Sequence, residues 1–254
     1  MKPKFILIGI FLCLLTSLIR GQDEKRKFFF VESGVDFFNC LESNKDYIRG
    51  DINPYSYGNV TDQLTSLLYY KYFGVKFEYR MLHNKLGISS GLRYTRLNAS
   101  IGKTTYWSST SDFYYVQFDN NGTTTEYAKV KEINQKSDFL GIPLELRVYP
   151  FDDHPVNIFA EIGASFNLSF GSKTDIGFFD NSMNPYRNEV AKVIEAPWMY
   201  YATYNIGVGF KIGRLPKPGV DIEANLVGML LPNKSSLVKP DVGGGLQLMI
   251  RIPF

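Results

Sequence analysis

Eight segments of the chain alternate apolar with other residues, and the connections between them alternate in length. The segments cover residues 28–38, 67–81, 86–98, 138–150, 156–170, 199–212, 220–231 and 242–254. Period-two alternation is typical of strands that have one apolar and one polar face. The connections run long, short, long, short, long, short and moderate, and the long ones lie at about 39–66, 99–137 and 171–197. Transmembrane β-barrels have short turns at one end and longer loops at the other.

The sequence therefore predicts an all-β fold, an eight-stranded antiparallel up-and-down transmembrane β-barrel with long extracellular loops. The last strand must pair with the first, because a free final strand would leave an exposed edge. A soluble barrel of the lipocalin kind is the main alternative, and it would turn the apolar faces inward. The membrane barrel is favoured because the apolar faces are nearly free of charge and glycines recur on the polar faces. Tyrosines near strand ends fit an interface girdle; they are Tyr69, Tyr70, Tyr79, Tyr94, Tyr200 and Tyr204.

The 99–137 connection contains a hairpin signal of its own, with Asn120-Asn121-Gly122 between residues 112–119 and 123–132. On the return strand Glu126, Val130 and Glu132 share one face, and Lys129 lies on the other, so neither face is apolar. A lysine that faces lipid at the middle of a bilayer costs about 2–4 kcal/mol. We therefore expect this hairpin above the membrane, as an extension of its neighbours.

The polar faces of the eight strands carry seven acidic and six basic residues. A barrel of about eight strands has room inside only for side chains. Near-balanced charge then predicts a salt-bridged plug, because isolated buried charges are costly. An ion path is the alternative. The residues are Glu32, Asp36, Lys76, Glu78, Arg80, Arg93, Glu145, Arg147, Glu161, Lys211, Asp221, Glu223 and Arg251.

The two ends of the sequence carry targeting signals. Lys2 and Lys4 precede an apolar run that is too short to span a membrane, so residues 1–21 are predicted to be a cleaved signal peptide. Residues 22–254 then form the barrel domain, in which Cys40 is a lone thiol. Phe254 ends the last strand, and we interpret it as an assembly signal.

The sequence predicts no catalytic, cofactor-binding or metal site. His83 and His154 fall in short turns, far from the serines of Ser108-Ser109-Thr110-Ser111. Asp221 and Glu223 are alternate residues of one interior stripe. The alternative for Asp51, Asp62 and the Asp119-Asn120-Asn121 run is calcium binding in a loop, but these residues do not have the spacing of a calcium-binding motif. The net charge of +3 gives no indication of nucleic-acid binding.

Residues 137–151, SDFLGIPLELRVYPF, resemble a strand of the Bacteroidetes outer-membrane β-barrel family, also called porin-family or PorT-like proteins. Residues 87–97, 160–170 and 204–213 resemble its other glycine-containing strands, and Ile252-Pro253-Phe254 resembles the C-terminal aromatic signal of outer-membrane proteins. The resemblance implies an eight-stranded barrel of the OmpA/OmpX shape in the outer membrane of a Gram-negative cell. It implies no reaction.

These observations predict a non-enzymatic outer-membrane barrel with a filled lumen and large surface loops, which acts in envelope structure or surface interaction. An accessory component of a secretion or transport complex and a narrow porin are the alternatives. The expected partners are outer-membrane lipid, the barrel-assembly machinery through the strand that ends at Phe254, and a surface or secretion-complex protein. Nucleic acid is not expected.

Overall fold

The computed structural model describes residues 27–42, 46–49, 64–103, 113–120, 124–151, 154–215, 217–230 and 237–254. The strands are β1 (Lys27–Glu42), β2 (Ile48–Arg49), β3 (Leu64–Met81), β4 (Leu86–Lys103), β5 (Tyr114–Asn120), β6 (Thr124–Val148), β7 (Val156–Phe178), β8 (Tyr200–Ile212), β9 (Gly219–Leu230) and β10 (Val238–Pro253). A 3-10 helix, Asn181–Tyr186, and the short helix α1, Arg187–Val193, lie between β7 and β8. In this part of the chain no helix has the length and apolar character needed to cross a membrane. The predicted signal peptide, residues 1–21, lies outside the described residues.

Eight of the strands form a closed antiparallel ring in the order β1, β3, β4, β6, β7, β8, β9 and β10. The ring closes where β10 pairs with β1, from Phe28 opposite Pro253 to Glu42 opposite Val238. The short turns and residues 27 and 254 lie at one end, the turn end; the long connections lie at the other, the loop end. The predicted fold class and the pairing of the last strand with the first are confirmed.

The outer surface of the ring is an apolar belt. On β6, for example, Leu140, Ile142, Leu144, Leu146 and Val148 point outward and are 37–59% exposed. At about 3.3 Å per residue and a strand tilt of about 40°, this stretch rises about 20 Å, close to the apolar band of a membrane barrel. Since every strand of the ring turns its apolar face outward, the lipocalin alternative is wrong.

Glycines on the inner face make room for the buried carboxylates. A Cβ atom on Gly245 would lie 1.7 Å from Oδ1 of Asp36, and one on Gly207 would lie 2.1 Å from Oε1 of Glu223. Such distances are impossible, so a larger residue at either position would displace the carboxylate. The recurrence of glycine on the polar faces therefore reflects the crowding of the interior.

The strands extend further toward the loop end than the sequence predicted. The segments 39–66, 99–137 and 171–197 were expected to be loops, but β1, β3, β4 and β7 continue into them. The β6 strand runs without a break through the return strand of the predicted hairpin and the predicted fourth strand. The register shift between Val130 and Glu132 changes which residues of β6 face inward, and the shift between Asp138 and Phe139 leaves Phe170 of β7 outside the residue pairing. These shifts interrupt a simple period of two, and this hid the extensions.

The predicted hairpin lies beyond the belt, as expected, but one of its faces is apolar. Tyr114, Val116 and Phe118 of β5 are buried with Ala128 and Val130 of β6. The prediction that neither face is apolar was therefore wrong, because the parity of β6 changes at the register shift. Tyr70 was also placed wrongly: it points inward and is 4% exposed, whereas the other five girdle tyrosines lie on the outer face.

Candidate functional site

The interior of the barrel is the natural place to look for function, and its turn-end half is filled with charged side chains. All thirteen ionisable residues that the sequence placed on the inner faces are buried, each 8% exposed or less. Because each comes from the period-two pattern of its own strand, the alternation alone determined which side chains enter this half. The prediction of a charged, side-chain-filled interior is confirmed for these residues.

Glu32 and Glu145 hold two cations between neighbouring strands. Arg93 donates to both oxygens of Glu32, at 2.7 and 2.9 Å, and to Oε1 of Glu145 at 2.9 Å. Lys76 lies 2.8 Å from Glu32 and also pairs with Glu145. Gln247 donates to Glu32, and its carbonyl oxygen accepts from Tyr72. The multiple hydrogen bonds to each carboxylate offset much of the cost of burying it.

Arg147 lies at the centre of the network. Its guanidinium approaches five carboxylates, of which Glu161 is nearest at 2.6 Å. The other four lie at 3.5–4.0 Å; they are Glu78, Glu145, Asp221 and Glu223. The rings of Phe30 and Phe159 pack against the guanidinium at 5.2 and 5.1 Å. One cation therefore neutralises carboxylates on several strands.

At the turn end, a stacked arginine closes the interior. Arg80 lies between the rings of Phe28 and Tyr149, at 4.6 and 4.0 Å, and donates to the Tyr149 hydroxyl at 2.8 Å. Beside it, Arg251 donates to Asp221 at 2.6 Å and to the carbonyl of Gly213 at 3.3 Å. The contacts of Arg80 join β3 to β1 and to the residue that follows β6, and the contacts of Arg251 join β10 to β9 and to the turn that follows β8.

The loop-end half of the interior is chemically different, because it is an apolar core that the sequence analysis missed. Phe139 packs edge-to-face on Tyr201 with ring centroids 4.7 Å apart, and Trp198 lies 6.5 Å from the same tyrosine. Further buried members come from the barrel strands, from the β5–β6 hairpin and from the loop-end connections; they include Phe38, Leu68, Leu97, Ile101, Ile133, Ile176, Val227, Leu237 and Val238.

The connection between β7 and β8 folds over this core. Val190 of α1 and Ile194 are buried in it. Gln135 of β6 fixes two connections at once, because its amide nitrogen donates to the carbonyl of Glu195 at 2.5 Å and its amide oxygen accepts from the backbone N–H of Leu237 at 3.3 Å. We call residues 179–199 the cap.

Asp180, which lies outside the belt, precedes the 3-10 helix at the start of the cap. The backbone N–H of Ser182 donates to Oδ1 of Asp180 at 2.9 Å, as an N-terminal capping residue accepts in a helix. This hydrogen bond holds the pKa of the Asp180 carboxyl below its ordinary value of 3.8. The start of the cap therefore contains a charge-assisted bond that low pH would weaken.

The residues considered for chemistry are not brought together into a reactive site. His83 lies in the turn Leu82–Asn84, whose three residues all have positive φ angles, and His154 lies in another turn; both side chains are exposed at the turn end. Asp221 and Glu223 belong to the Arg147 network. Residues 51, 62 and 108–111 lie outside the described part of the chain. In that part, no cluster of three or more His, Cys, Asp or Glu residues is spaced to hold a metal ion.

An open depression of about 350 Å³ lies on the loop end, between the β2–β5 pair and α1. Asp46, Tyr47, Gln117, Phe118, Asp119 and Val193 line it. This surface was not predicted, because its residues come from three separate connections. The available signal was the alternation within β5, where Tyr114, Val116 and Phe118 are buried and Tyr115 and Gln117 lie between them.

Comparisons with known proteins find similar solved structures but no similar sequence. No family model and no curated protein matches the sequence. Solved structures similar to this chain include the outer-membrane protein OprG from Pseudomonas aeruginosa, at 12% identity and a TM-score of 0.43, over 91% of this chain and 94% of that chain. The attachment invasion locus protein Ail of Yersinia pestis is 10% identical, with a TM-score of 0.35, over 91% of this chain and 100% of that chain. At such low identities and TM-scores, no property of these proteins is transferred to this chain.

Proposed function

We propose that this protein is an integral outer-membrane barrel that acts without catalysis and presents a rigid extracellular platform for surface interaction. The apolar belt lies in the bilayer, the turn end faces the periplasm, and the loop end faces outward. The belt supports this placement, since a surface of exposed leucine, isoleucine, valine and phenylalanine that encircles the molecule is stable only in lipid.

The observation that carries the proposal is that both halves of the interior are filled. Arg147 and its carboxylates occupy the turn-end half, and the Phe139–Tyr201–Trp198 cluster occupies the loop-end half. A lumen packed in this way suits a structural barrel better than a pore or an enzyme, because conduction and catalysis both need accessible polar space.

The platform is the part of the barrel beyond the belt. The β5–β6 hairpin, the β2 strand, α1 and the cap share one apolar core, so their outer surfaces are held in fixed positions. A preorganised surface binds with less loss of conformational entropy than flexible loops. This rigidity favours contact with other molecules at the cell surface.

Membrane fractionation combined with heat-modifiable gel migration tests the location and the barrel together. We expect the protein in the outer-membrane fraction, migrating faster when unheated than when boiled. Recovery in a soluble fraction would contradict the proposal. In planar bilayers the purified barrel should give no steady conductance, whereas large, stable channels would favour the narrow-porin alternative.

Membership of the Bacteroidetes porin-family or PorT-like group remains part of the proposal. Its support is that residues 137–151, which carry the resemblance, form the belt-crossing segment of β6 and enter the turn that follows. Chemical crosslinking in cells tests the secretion-accessory role that the resemblance raises. Reproducible crosslinks from the turn end to a secretion complex would favour that role over surface interaction.

Recognition of Phe254 by the barrel-assembly machinery is likewise proposed. The Phe254 ring is exposed, lies 6.0 Å from Phe77, and ends the strand that closes the ring. Deletion of Phe254 should reduce insertion while synthesis continues, as measured by outer-membrane yield against total protein. Truncation of Phe77 to alanine is the control, because it removes the packing partner and leaves the terminus; equal loss in both variants would indicate a packing role.

A further inference from the structure

Four cations lie on the outer face of neighbouring strands just beyond the apolar belt. We call Lys71, Arg96, Lys136 and Lys173 the basic rim. Lys71 is directly opposite Arg96 on the paired strands β3 and β4, and Lys136 is directly opposite Lys173 on β6 and β7. The belt reaches Leu140 on β6 and Phe170 on β7, a few residues below these lysines. The rim therefore lies at the level where lipid headgroups meet the protein.

The lysine pair of the rim has no carboxylate of its own in the described part of the chain. Like charges directly opposite on paired strands destabilise a sheet. The nearby acids are already engaged: Asp138 accepts from Arg96 at 2.8 Å and from Tyr94, and Asp175 accepts from Arg187 at 3.1 Å. Asn98 is the residue opposite Lys136 on its other side. An anion from outside the chain would relieve the repulsion between the two lysines.

Above the rim, on the same outward face, four aromatic rings form a continuous ridge. Phe113 lies 4.8 Å from Phe179 and 5.3 Å from Tyr115, which in turn contacts Tyr127 at 6.5 Å. Tyr127 and Phe179 are 37% and 43% exposed. We call these four residues the aromatic ridge. Partly exposed aromatic rings such as those of Tyr127 and Phe179 offer apolar surface against which the C–H faces of sugars pack.

Two more lysines link the ridge to the rim. The ammonium groups of Lys129 and Lys131 lie 5.0 Å and 5.4 Å from the ring centres of Phe113 and Phe179. An acidic residue, Glu132, is also exposed here and is next to Lys131 in the chain. The outer face of β6 and β7 thus presents, from the bilayer outward, apolar residues, a lysine pair, and lysines interleaved with aromatic rings.

We propose that this face binds a phosphorylated glycolipid of the outer leaflet, with acyl chains on the belt, a phosphate between Lys136 and Lys173, and sugars on the aromatic ridge. The order of the three surfaces along the strands matches the order of the three parts of such a lipid. Cationic side chains next to a bilayer attract anionic headgroups, and lysine binds phosphate as a compact charge. The proposal rests on the outer-membrane location proposed above.

The test measures binding of purified, folded barrel in phosphatidylcholine nanodiscs to rough lipopolysaccharide that retains its core sugars. Removal of the lysine pair, in Lys136→Gln/Lys173→Gln, should weaken binding about tenfold or more, because two charge-assisted contacts to phosphate are lost. The matched control, Arg214→Gln/Lys217→Gln, removes two charges from an exposed turn at the other end of the barrel. It should bind as the parent does.

Two further binding measurements distinguish the contribution of the lipid phosphate from that of the sugars. Enzymatically dephosphorylated lipopolysaccharide should bind the parent about as weakly as the intact lipid binds the lysine variant. Tyr127→Ala/Phe179→Ala should weaken binding of the lipid with core sugars and leave binding of the sugar-trimmed phosphorylated lipid unchanged. Equal affinity of the lysine variant and the parent for the intact lipid would overturn the inference. Binding is measured in nanodiscs, whereas the location in the cell is measured by fractionation. A failure of the glycolipid proposal is therefore distinguishable from a failure of the proposed outer-membrane location.

Discussion

Both halves of the barrel interior are filled with buried side chains, but those of the turn-end half are mostly charged and those of the loop-end half are mostly apolar. In the turn-end half, buried arginine, lysine, aspartate and glutamate side chains are held by each other and by aromatic rings, with Arg147 at the centre. In the loop-end half, Phe139, Tyr201 and Trp198 pack as they would in the core of a soluble domain. The change occurs within single strands, for example between Asp36 and Phe38 of β1.

The difference reflects what surrounds each half. The turn-end half lies within the belt, where the outer face is apolar, so the polar residues of the strands can only point inward. The loop-end half begins at the upper edge of the belt, where the buried Phe139 is next to the exposed Leu140, and continues beyond it, where the outer face meets water and carries residues such as Lys129 and Lys131. There the strands form an ordinary antiparallel sheet whose outer face is solvated, so the apolar residues lie on its inner face. The two halves should therefore respond differently to the same kinds of substitution.

The largest effect is expected from loss of the central cation. Arg147→Met leaves five carboxylates within 4.0 Å without their shared partner. Removal of one partner from a buried ion pair costs about 3–5 kcal/mol, and because five carboxylates share this cation we expect a loss of about 5 kcal/mol. Urea unfolding in lipid vesicles, followed by heat-modifiable migration, measures it.

The matched control for Arg147→Met is Arg147→Lys, which retains the charge and loses the planar, many-sided contacts of the guanidinium. It should lose less stability than the methionine variant. If the methionine variant is as stable as the parent, the carboxylates do not depend on Arg147, and the charged half is not one connected network.

A smaller loss is expected from a cavity in the apolar half. Phe139 is fully buried, and Phe139→Ala should cost about 3 kcal/mol through lost contacts and a residual void. Because no ion pair is removed, this loss should not change with salt concentration. In a Trp107→Phe background, Trp198 reports locally, and its fluorescence should shift to longer wavelength as water approaches. The same truncation at the exposed Phe151 should leave the fluorescence unchanged.

The sequence predicted the charged half almost completely and missed the apolar half. Within the belt, the two faces of each strand differ in polarity, so Glu145 and Arg147 were assigned inward from alternation with Leu144 and Leu146. Beyond the belt, the inner face of β6 carries Ile133 while the outer face carries a mixture of charged and polar residues, and Phe139 lies at the edge of the belt, next to Leu140. The register shift near Lys131 reverses the parity of β6, and a period of two that is counted straight through it assigns residues of the hairpin to the wrong face.

The junction between the apolar core and its cap should be weaker than either half. Gln135→Ala removes two hydrogen bonds, to the carbonyl of Glu195 and from the N–H of Leu237, and leaves buried backbone groups unpaired at a cost of about 1–2 kcal/mol. We expect faster hydrogen exchange at Leu237 and faster proteolysis within the cap, with the turn-end half unaffected. Asn134→Ala, at the neighbouring outward position, is the control. Unchanged exchange at Leu237 would mean that Gln135 does not hold the cap.

The smallest effect is expected from pH at the start of the cap. The pKa of Asp180 lies below its ordinary value of 3.8 because the Ser182 N–H donates to its carboxylate. A carboxyl with a lowered folded-state pKa adds stability above its unfolded pKa and loses that contribution as the pH falls through the folded value. The Ser182 amide resonance should therefore move below about pH 4. Asp180→Asn keeps an acceptor at the capping position and should abolish this shift; a shift that persists in the variant would assign the titration to another group.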